Sequence, residues 1–257
     1  MRTIHHLAKI RNKKSIVIYN QQLPYTSKKD NHEKGTIVTF LAKATPNPYA
    51  FKFEALEDEE DKFNKYLSFL QNSSLPRQFS TPERAAPYSE LAKNILCLDG
   101  VDNVFFGDTY MTLQIENNID VEWEDVEKNV SNELMNFFEK YNYEDHIKMA
   151  NESGDSTTNT INGKSIDECS EMIQHPDTDL IEEIGITIDE KVRPHVQADG
   201  GDVEFVMLDN KGVVHLRMLG ACISCPSSTV TVRFMIKNML QHYYEEINDV
   251  KHVDWDE

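Results

Sequence analysis

The sequence predicts an α+β fold in two small domains joined by a flexible acidic linker. Short runs with alternating apolar residues are interspersed with longer runs of helical spacing, in no regular β-α-β order. The stretch Asn151–Thr160 has no apolar residue, so it cannot bury a core. We therefore predict a leader over residues 1–34, a first domain over 35–144, a linker over 145–177 and a second domain over 178–257.

The charge of the chain excludes one large class of partner. The 257 residues include 26 Lys and Arg and 44 Asp and Glu, a net charge of −18. Residues 1–29 hold seven of the basic residues and no acid, so the rest of the chain is more acidic still. Such a body repels phosphate backbones, and we expect no nucleic-acid partner. No apolar run is long enough to cross a bilayer, so no membrane partner is expected either.

The leader and the cysteines indicate a compartment. Ile4, Leu7 and Ala8 fall at helical spacing among basic residues, a pattern typical of an organellar transit peptide, although a disordered basic tail gives a similar composition. Four cysteines in a chain of this length do not form a disulfide scaffold. A reducing compartment is expected, and the leader favours the mitochondrial matrix or a related organelle.

The first domain is predicted to combine strands and amphipathic helices. Residues 37–41 and 51–53 are rich in strand formers, and a hairpin is expected around Gly107-Asp108. Apolar residues at helical spacing predict three helices: Phe63, Tyr66, Leu67 and Leu70; Leu91, Ile95 and Leu98, ending at Gly100; and Val126, Val130, Leu134, Phe137 and Phe138.

The second domain is predicted to run helix, hairpin, cysteine loop, helix. Ile181, Ile184, Ile188 and Val192 indicate a helix that stops before Pro194. Two strands follow over residues 203–207 and 213–219, after a tight turn at Gly200-Gly201. The last helix is expected to present Phe234, Met235, Met239, Tyr243 and Ile247, with a short edge strand around Val253 and Trp255.

Cys222 and Cys225 form a Cys-x-x-Cys motif between the last predicted strand and the last helix. A helix N-terminus favours negative charge and lowers cysteine pKa values, and thiolates are the form that binds soft metals. Iron–sulfur clusters and tetrahedral zinc take four ligands, but this motif supplies two. Cys97 is expected to be buried in a helix, and Cys169 lies in the linker. Two chains, each donating one motif from an exposed loop, would complete the site.

The motif sits within longer stretches that resemble the Nfu family of iron–sulfur cluster scaffold and carrier proteins. The second domain is similar to the NifU C-terminal domain through Arg193-Pro194, Asp199–Asp202 and Leu219–Ser228. The first is similar to the Nfu N-terminal domain at residues 45–48, 51–53, 100–101, 104–108 and 123, and departs from it over residues 57–80, which look helical here.

The resemblance implies a non-enzymatic role. It implies that Cys222 and Cys225 hold a [4Fe–4S] cluster bridged in a homodimer and handed to apo iron–sulfur client proteins, after loading by upstream assembly factors. It also implies that the first domain helps to select clients.

Two other functions remain open from the residues alone. A thiol–disulfide oxidoreductase also places Cys-x-x-Cys at the start of a helix, but the stretch after Cys225 has room for only one helix and a short strand. A zinc-bridged dimerisation module would use the same two thiolates. His195 and His242 are not expected to be ligands, and His215 is expected to face solvent.

Overall fold

The computed structural model describes residues 40–55, 62–71, 77–117, 123–141, 175–223 and 228–253. The predicted leader, most of the predicted linker, Cys169 and Cys225 lie outside these residues. Two compact units make up the chain. The first comprises the residues up to Tyr143 together with Gln197–Asp202 and Leu219–Pro226, and the second comprises the remainder.

The first unit contains a five-stranded antiparallel sheet. Its strands lie in the order β1-β2-β5-β4-β3, and their bounds are β1 Phe40–Ala44, β2 Ala50–Ala55, β3 Gln78–Phe79, β4 Val101–Phe106 and β5 Tyr110–Ile115. The hairpin predicted at Gly107-Asp108 is confirmed, with Phe106 opposite Met111. The register shifts between Val101 and Asn103, which marks an irregularity at the start of β4.

Among the described residues, the helices that accompany this sheet are α1 Lys62–Gln71, α2 Pro82–Ala85, α3 Glu90–Leu96 and α4 Trp123–Lys140. The side chains of Thr81 and Ser89 accept hydrogen bonds from the first turns of α2 and α3, which fixes where those helices begin. The three predicted amphipathic helices are confirmed, but α3 ends at Leu96, before the end predicted at Gly100.

The core of the first unit lies between these helices and one face of the sheet. Alternate strand residues, among them Phe53, Val104 and Met111, belong to it, and Trp123 stacks on Phe51. The helices contribute Phe63, Tyr66, Leu67, Leu70, Leu91, Ile95, Val126, Val130, Leu134 and Phe138. The apolar positions of the strands and helices therefore meet as their periodicity predicts.

The second unit is built around strands β6 Gly201–Leu208, β7 Val213–Gly220 and β8 Asp249–His252, in that order across one sheet. The first two residues of β6 and the last two of β7 belong to the first unit. Its helices are α5 Thr178–Thr187, α6 Arg193–Ala198 and α7 Ser228–Tyr243. The two strands predicted before the cysteine loop are neighbours, as expected. The predicted edge strand lies at residues 249–252, earlier than Val253 and Trp255, and it pairs in parallel with β7.

The prediction that a helix stops before Pro194 is wrong. A single π-helical turn, Ile188–Val192, joins α5 to α6, and Arg193 N–H bonds to the Ile188 carbonyl. Pro194 then falls in the first turn of α6, where its missing N–H and fixed φ are tolerated. The helical path therefore continues through the proline.

The buried face of α7 also differs from the prediction. Ile236 and Leu240 are buried, whereas Phe234, Met235 and Tyr243 are exposed. Ile247 is buried, but it lies beyond the end of the helix. Several apolar positions at overlapping helical spacings occur here, so periodicity alone did not distinguish the two faces.

Candidate functional site

Cys222 lies in the turn that follows β7. Gly220 ends the strand with φ +58°, a left-handed conformation that favours glycine. Behind it, Cys222 N–H donates to the Leu219 carbonyl at 3.3 Å, and Ile223 N–H donates to the Gly220 carbonyl at 3.2 Å. The predicted order of strand, cysteine loop and helix is confirmed, and the structure describes Cys222 of the two predicted ligands.

Cys222 is not exposed, which differs from the exposed position expected from the sequence. Cys222 is 5% exposed. Its Sγ atom packs on Gly201, because a β-carbon added to that glycine would overlap it. Leu219 and Ala221 on either side are also buried. The thiol therefore lies inside the first unit.

Gly200 and Gly201 form the predicted tight turn and also contact the cysteine loop. Gly200 has φ +83°, and its N–H donates to the Gln197 carbonyl at 3.0 Å. The Gly200 carbonyl accepts a 3.1 Å hydrogen bond from Ala221 N–H. We call Gln197–Asp202 the first glycine segment and Leu219–Ile223 the second. The two segments lie side by side within the first unit.

The second face of the N-terminal sheet binds both glycine segments. We call its side chains Lys52, Tyr110, Thr112 and Gln114 the polar face. Lys52 and Thr112 are directly opposite each other on β2 and β5. Although these positions alternate with core residues and would ordinarily face water, Thr112 is 1% and Gln114 3% exposed. Polar groups buried this deeply need hydrogen-bond partners.

Those partners are backbone carbonyls of the glycine segments. Thr112 Oγ1 donates to the Gly200 carbonyl at 2.6 Å, and Gln114 Nε2 donates to the Gly220 carbonyl at 2.8 Å. Lys52 Nζ donates to the Gln197 carbonyl at 2.9 Å. The Tyr110 hydroxyl donates to the Gly201 carbonyl. Each of these donors bonds a main-chain carbonyl. The polar face therefore recognises the backbone path of the glycine segments rather than their side chains.

Two residues outside the polar face complete these contacts. Asn47, in the turn between β1 and β2, donates from Nδ2 to the Ala221 carbonyl at 2.9 Å. Gln78 Oε1 accepts from Gly220 N–H at 3.0 Å. Gly220 and Ala221 come directly before Cys222 in the chain, so these hydrogen bonds are made within two residues of the thiol.

Charged groups surround the same contacts. Asp202 is fully buried and pairs with the Arg77 guanidinium at 3.3 Å. Burial, followed by the negative charges of Asp202 and Asp108, raises the pKa of Tyr110 well above its ordinary value. The Tyr110 hydroxyl therefore stays protonated and remains a donor across the physiological pH range.

Cys97 and His215 are placed opposite to their predictions. Cys97 is exposed, because it is the residue after the last turn of α3 and the buried stripe of that helix ends at Leu96. His215 is 5% exposed, and its Nε2 lies 3.2 Å from Asp209 Oδ2. His215 lies on β7, the middle strand of its sheet, where the buried Asp209 is its partner and no solvent is available.

The other histidines singled out in the sequence lie at the surface. His195 and His242 are exposed, and His195 Nδ1 lies 3.0 Å from the Lys191 carbonyl. Within the described ranges, no three His, Cys, Asp or Glu side chains are grouped so that they could hold a metal ion.

Two family models match the chain. A NifU-like domain matches residues 184–251, and a model described as "Scaffold protein Nfu/NifU N terminal" matches residues 40–141. A human protein, "NFU1 iron-sulfur cluster scaffold homolog, mitochondrial", is 31% identical over 240 residues, which cover 91% of this chain and 85% of the relative. The chain belongs to the Nfu/NifU family.

Other Nfu/NifU relatives are longer than this chain. "NifU-like protein 5, mitochondrial" of Arabidopsis thaliana is 30% identical over 81% of this chain and 66% of its own length. The Drosophila persimilis "NFU1 iron-sulfur cluster scaffold homolog, mitochondrial" is 33% identical over 81% of this chain and 63% of its own length. The chain thus spans about two thirds or less of these relatives. In the described part of this Nfu/NifU chain, no helix has both the length and the apolar character needed to cross a membrane.

Sequence reasoning missed the polar side chains that hold the cysteine loop of this Nfu/NifU protein. Alternation along the strands places Lys52, Thr112 and Gln114 on the face opposite the core, which by itself predicts contact with water. A signal was available, because three long or branched polar residues share one face of adjacent strands. That pattern, however, is also typical of an ordinary solvent-facing sheet.

Proposed function

We propose that this protein is a non-enzymatic iron–sulfur cluster scaffold and carrier. Its cargo would be a [4Fe–4S] cluster held between two copies of the chain by Cys222 and Cys225, and passed on to apo-proteins. The observation that carries the proposal is the Cys-x-x-Cys motif within a region that matches a NifU-like domain. The fly and human relatives are named iron-sulfur cluster scaffold homologs, which supports a scaffold role.

The donor chemistry fits this cargo. Thiolates are the usual ligands of iron–sulfur clusters, and four are needed for a [4Fe–4S] cluster. One chain supplies two from this motif, so a homodimer related by a two-fold axis would supply the full set. A cluster shared across an interface is also easier to release than one enclosed by a single chain, and release is what a carrier requires.

The proposed setting follows from the relatives. Several are named mitochondrial, and the basic leader favours the mitochondrial matrix or a related organelle. The partners would be upstream assembly factors and apo iron–sulfur client proteins, with the N-terminal domain contributing to client choice.

Anaerobic reconstitution with iron and sulfide tests the proposal. The full chain should take up four iron and four sulfide per dimer, show the broad visible absorption of a [4Fe–4S] cluster, and double in mass by light scattering. Chelation of the iron should return the mass to that of the monomer. Cys222→Ser and Cys225→Ser should each abolish all three signals.

Other outcomes would replace the proposal. Zinc without sulfide in protein purified without oxygen would indicate a dimerisation module. Turnover of a disulfide substrate, lost in Cys222→Ser, would indicate an oxidoreductase. A cluster retained after either substitution would show that other residues are the ligands.

A further inference from the structure

The closed position of Cys222 is at odds with a cluster shared between two chains. A bridging cluster needs this thiolate to bond iron that also contacts the partner's thiolates. In the structure the Sγ atom instead packs on the Gly201 backbone and is almost inaccessible. A cluster shared between two chains therefore needs a more open position of Cys222 than the one described.

We propose that the polar face, with Asn47, is a cover for the cysteine loop: it holds Cys222 closed, and loading of the cluster requires the cover to release the glycine segments. The proposal rests on the proposed function for its second part only. The cover itself is a property of the apo-protein and can be measured without iron.

The hydrogen bonds to the glycine segments can hold these segments in place and can also be released. Four of the side chains in contact with the segments, Asn47, Thr112, Gln114 and Tyr110, donate to carbonyls of Gly200, Gly201, Gly220 and Ala221. Glycine main chain lets these donors approach closely, since a β-carbon at Gly200 or Gly220 would press on Thr45 or Phe105 of the N-terminal part. When the segments leave, water can satisfy both donors and carbonyls, so the release has a modest net cost.

The cover is also built into the fold rather than an incidental contact. Thr112 and Gln114, which belong to the cover, are more than nine-tenths buried, and Asn47 is 2% exposed. A sheet face without the glycine segments packed on it would leave these groups in water. The Asp202–Arg77 pair adds a charged contact at the edge of the same surface.

Alkylation of the apo-protein tests the cover. The full chain is treated with iodoacetamide, and modification of each cysteine is followed by tandem mass spectrometry that separates Cys222 from Cys225. The exposed Cys97 serves as an internal reference. Rates are divided by those in denaturant at the same pH. We expect Cys222 to be protected at least about tenfold more than Cys97.

Asn47→Asp is the sharpest single variant. It keeps the Oδ1 acceptor that bonds Tyr49 N–H at 3.0 Å, but replaces the donor to the Ala221 carbonyl by an acceptor. Loss of this hydrogen bond, together with the carboxylate that then faces the Ala221 carbonyl, should raise Cys222 alkylation by at least about fivefold. Thr112→Val, which removes only a hydroxyl, should act in the same direction and serves if Asn47→Asp fails to fold.

Asn94→Asp is the matched control. Asn94 Nδ2 donates to Glu133 Oε1 at 2.9 Å, on helices of the same unit and away from the glycine segments. The same chemical change there should leave Cys222 protection as in the wild type. If the control variant exposes Cys222 as much as Asn47→Asp does, the effect is general destabilisation and the cover is refuted.

A second experiment measures cluster loading: iron and sulfide are added, and uptake is compared before loading is complete. Asn47→Asp and Thr112→Val should acquire cluster absorbance and dimer mass faster than the wild type and Asn94→Asp. Unchanged Cys222 alkylation in both cover variants overturns the inference whatever the iron result. Absence of iron and sulfide from every variant would instead refute the proposed function while leaving the alkylation result standing. Faster alkylation with unchanged loading would show that the cover does not control loading.

Discussion

The sulfur of Cys222 lies against the backbone of Gly201, and no side chain can occupy position 201 without moving it. A β-carbon there would also come within 3.1 Å of the Leu219 carbonyl. The glycine is therefore required by a close approach between two segments that are about twenty residues apart in the chain. Through this contact, the thiol that is proposed to bind iron is buried.

Gly201→Ala should destabilise the protein by about 1–3 kcal/mol, because the added methyl overpacks the contact with Cys222. Cys222→Ala removes the sulfur and should relieve part of this cost. The double variant should therefore show a coupling of at least about 0.5 kcal/mol in urea unfolding. Additive effects would contradict the contact.

Glu127→Gln should stabilise the protein at pH 7. The Glu127 side chain is 5% exposed, and its Oε1 atom has no hydrogen-bond partner within the described residues. Burial, followed by the charge of Glu124, raises the pKa of Glu127 above its ordinary 4.5. An acid whose pKa is raised on folding favours the folded state when it is protonated. This contribution is lost as the pH rises through the folded pKa.

The gain from Glu127→Gln should therefore shrink as the pH falls through the raised pKa of Glu127, and it should be lost below about 4.5, where the wild-type carboxyl is neutral in both states. Thermal unfolding at pH 7 and pH 4 measures this difference. Glu139→Gln, an exposed change on the same helix, should show no comparable gain. An equal gain for Glu127→Gln at both pH values would contradict the charge as its cause.

Cys97→Ser should change the free energy of unfolding by no more than about 0.5 kcal/mol, because the side chain is exposed at the end of α3. Ala92→Ser, on the buried face of the same helix, should cost about 1–3 kcal/mol since it buries a hydroxyl. Urea titration of both variants makes the comparison. A large loss in Cys97→Ser would restore the buried position expected from the sequence.

Asp209→Asn should destabilise the turn between β6 and β7. Asp209 Oδ1 accepts from the N–H groups of Lys211 and Val213, each at 2.9 Å, and Oδ2 lies beside His215. Burial alone would raise the pKa of Asp209, but these hydrogen bonds lower it overall from 3.8. An acid whose pKa is lowered on folding stabilises the folded state at pH values above its unfolded pKa.

That contribution should be lost as the pH falls from about 4 through the folded pKa of Asp209. The stability difference between wild type and Asp209→Asn should thus be about 1–2 kcal/mol at pH 7 and smaller at pH 3. The exposed Asp199→Asn is the control. A difference independent of pH would show that the carboxylate charge is not the stabilising feature.

Much of the local structure follows from the sequence alone. Strand periodicity and the Gly107-Asp108 turn predict the hairpin β4–β5, and helical spacing predicts α1, α3 and α4 at the positions observed. These patterns succeed because each depends on neighbours within a few residues. The Cys-x-x-Cys motif is equally local, and the sequence alone shows that one motif supplies two thiolates.

The tertiary structure decided what covers each face. Alternation along β5 separates Met111 from Thr112, but it does not say whether Thr112 meets water or another part of the chain. The contact between Asn47 and Ala221 joins residues 174 positions apart, and no local pattern encodes it. Cys222 is buried because a distant segment packs on it, and Cys97 is exposed because α3 ends before it. Periodicity reports only the direction of a side chain from its own backbone.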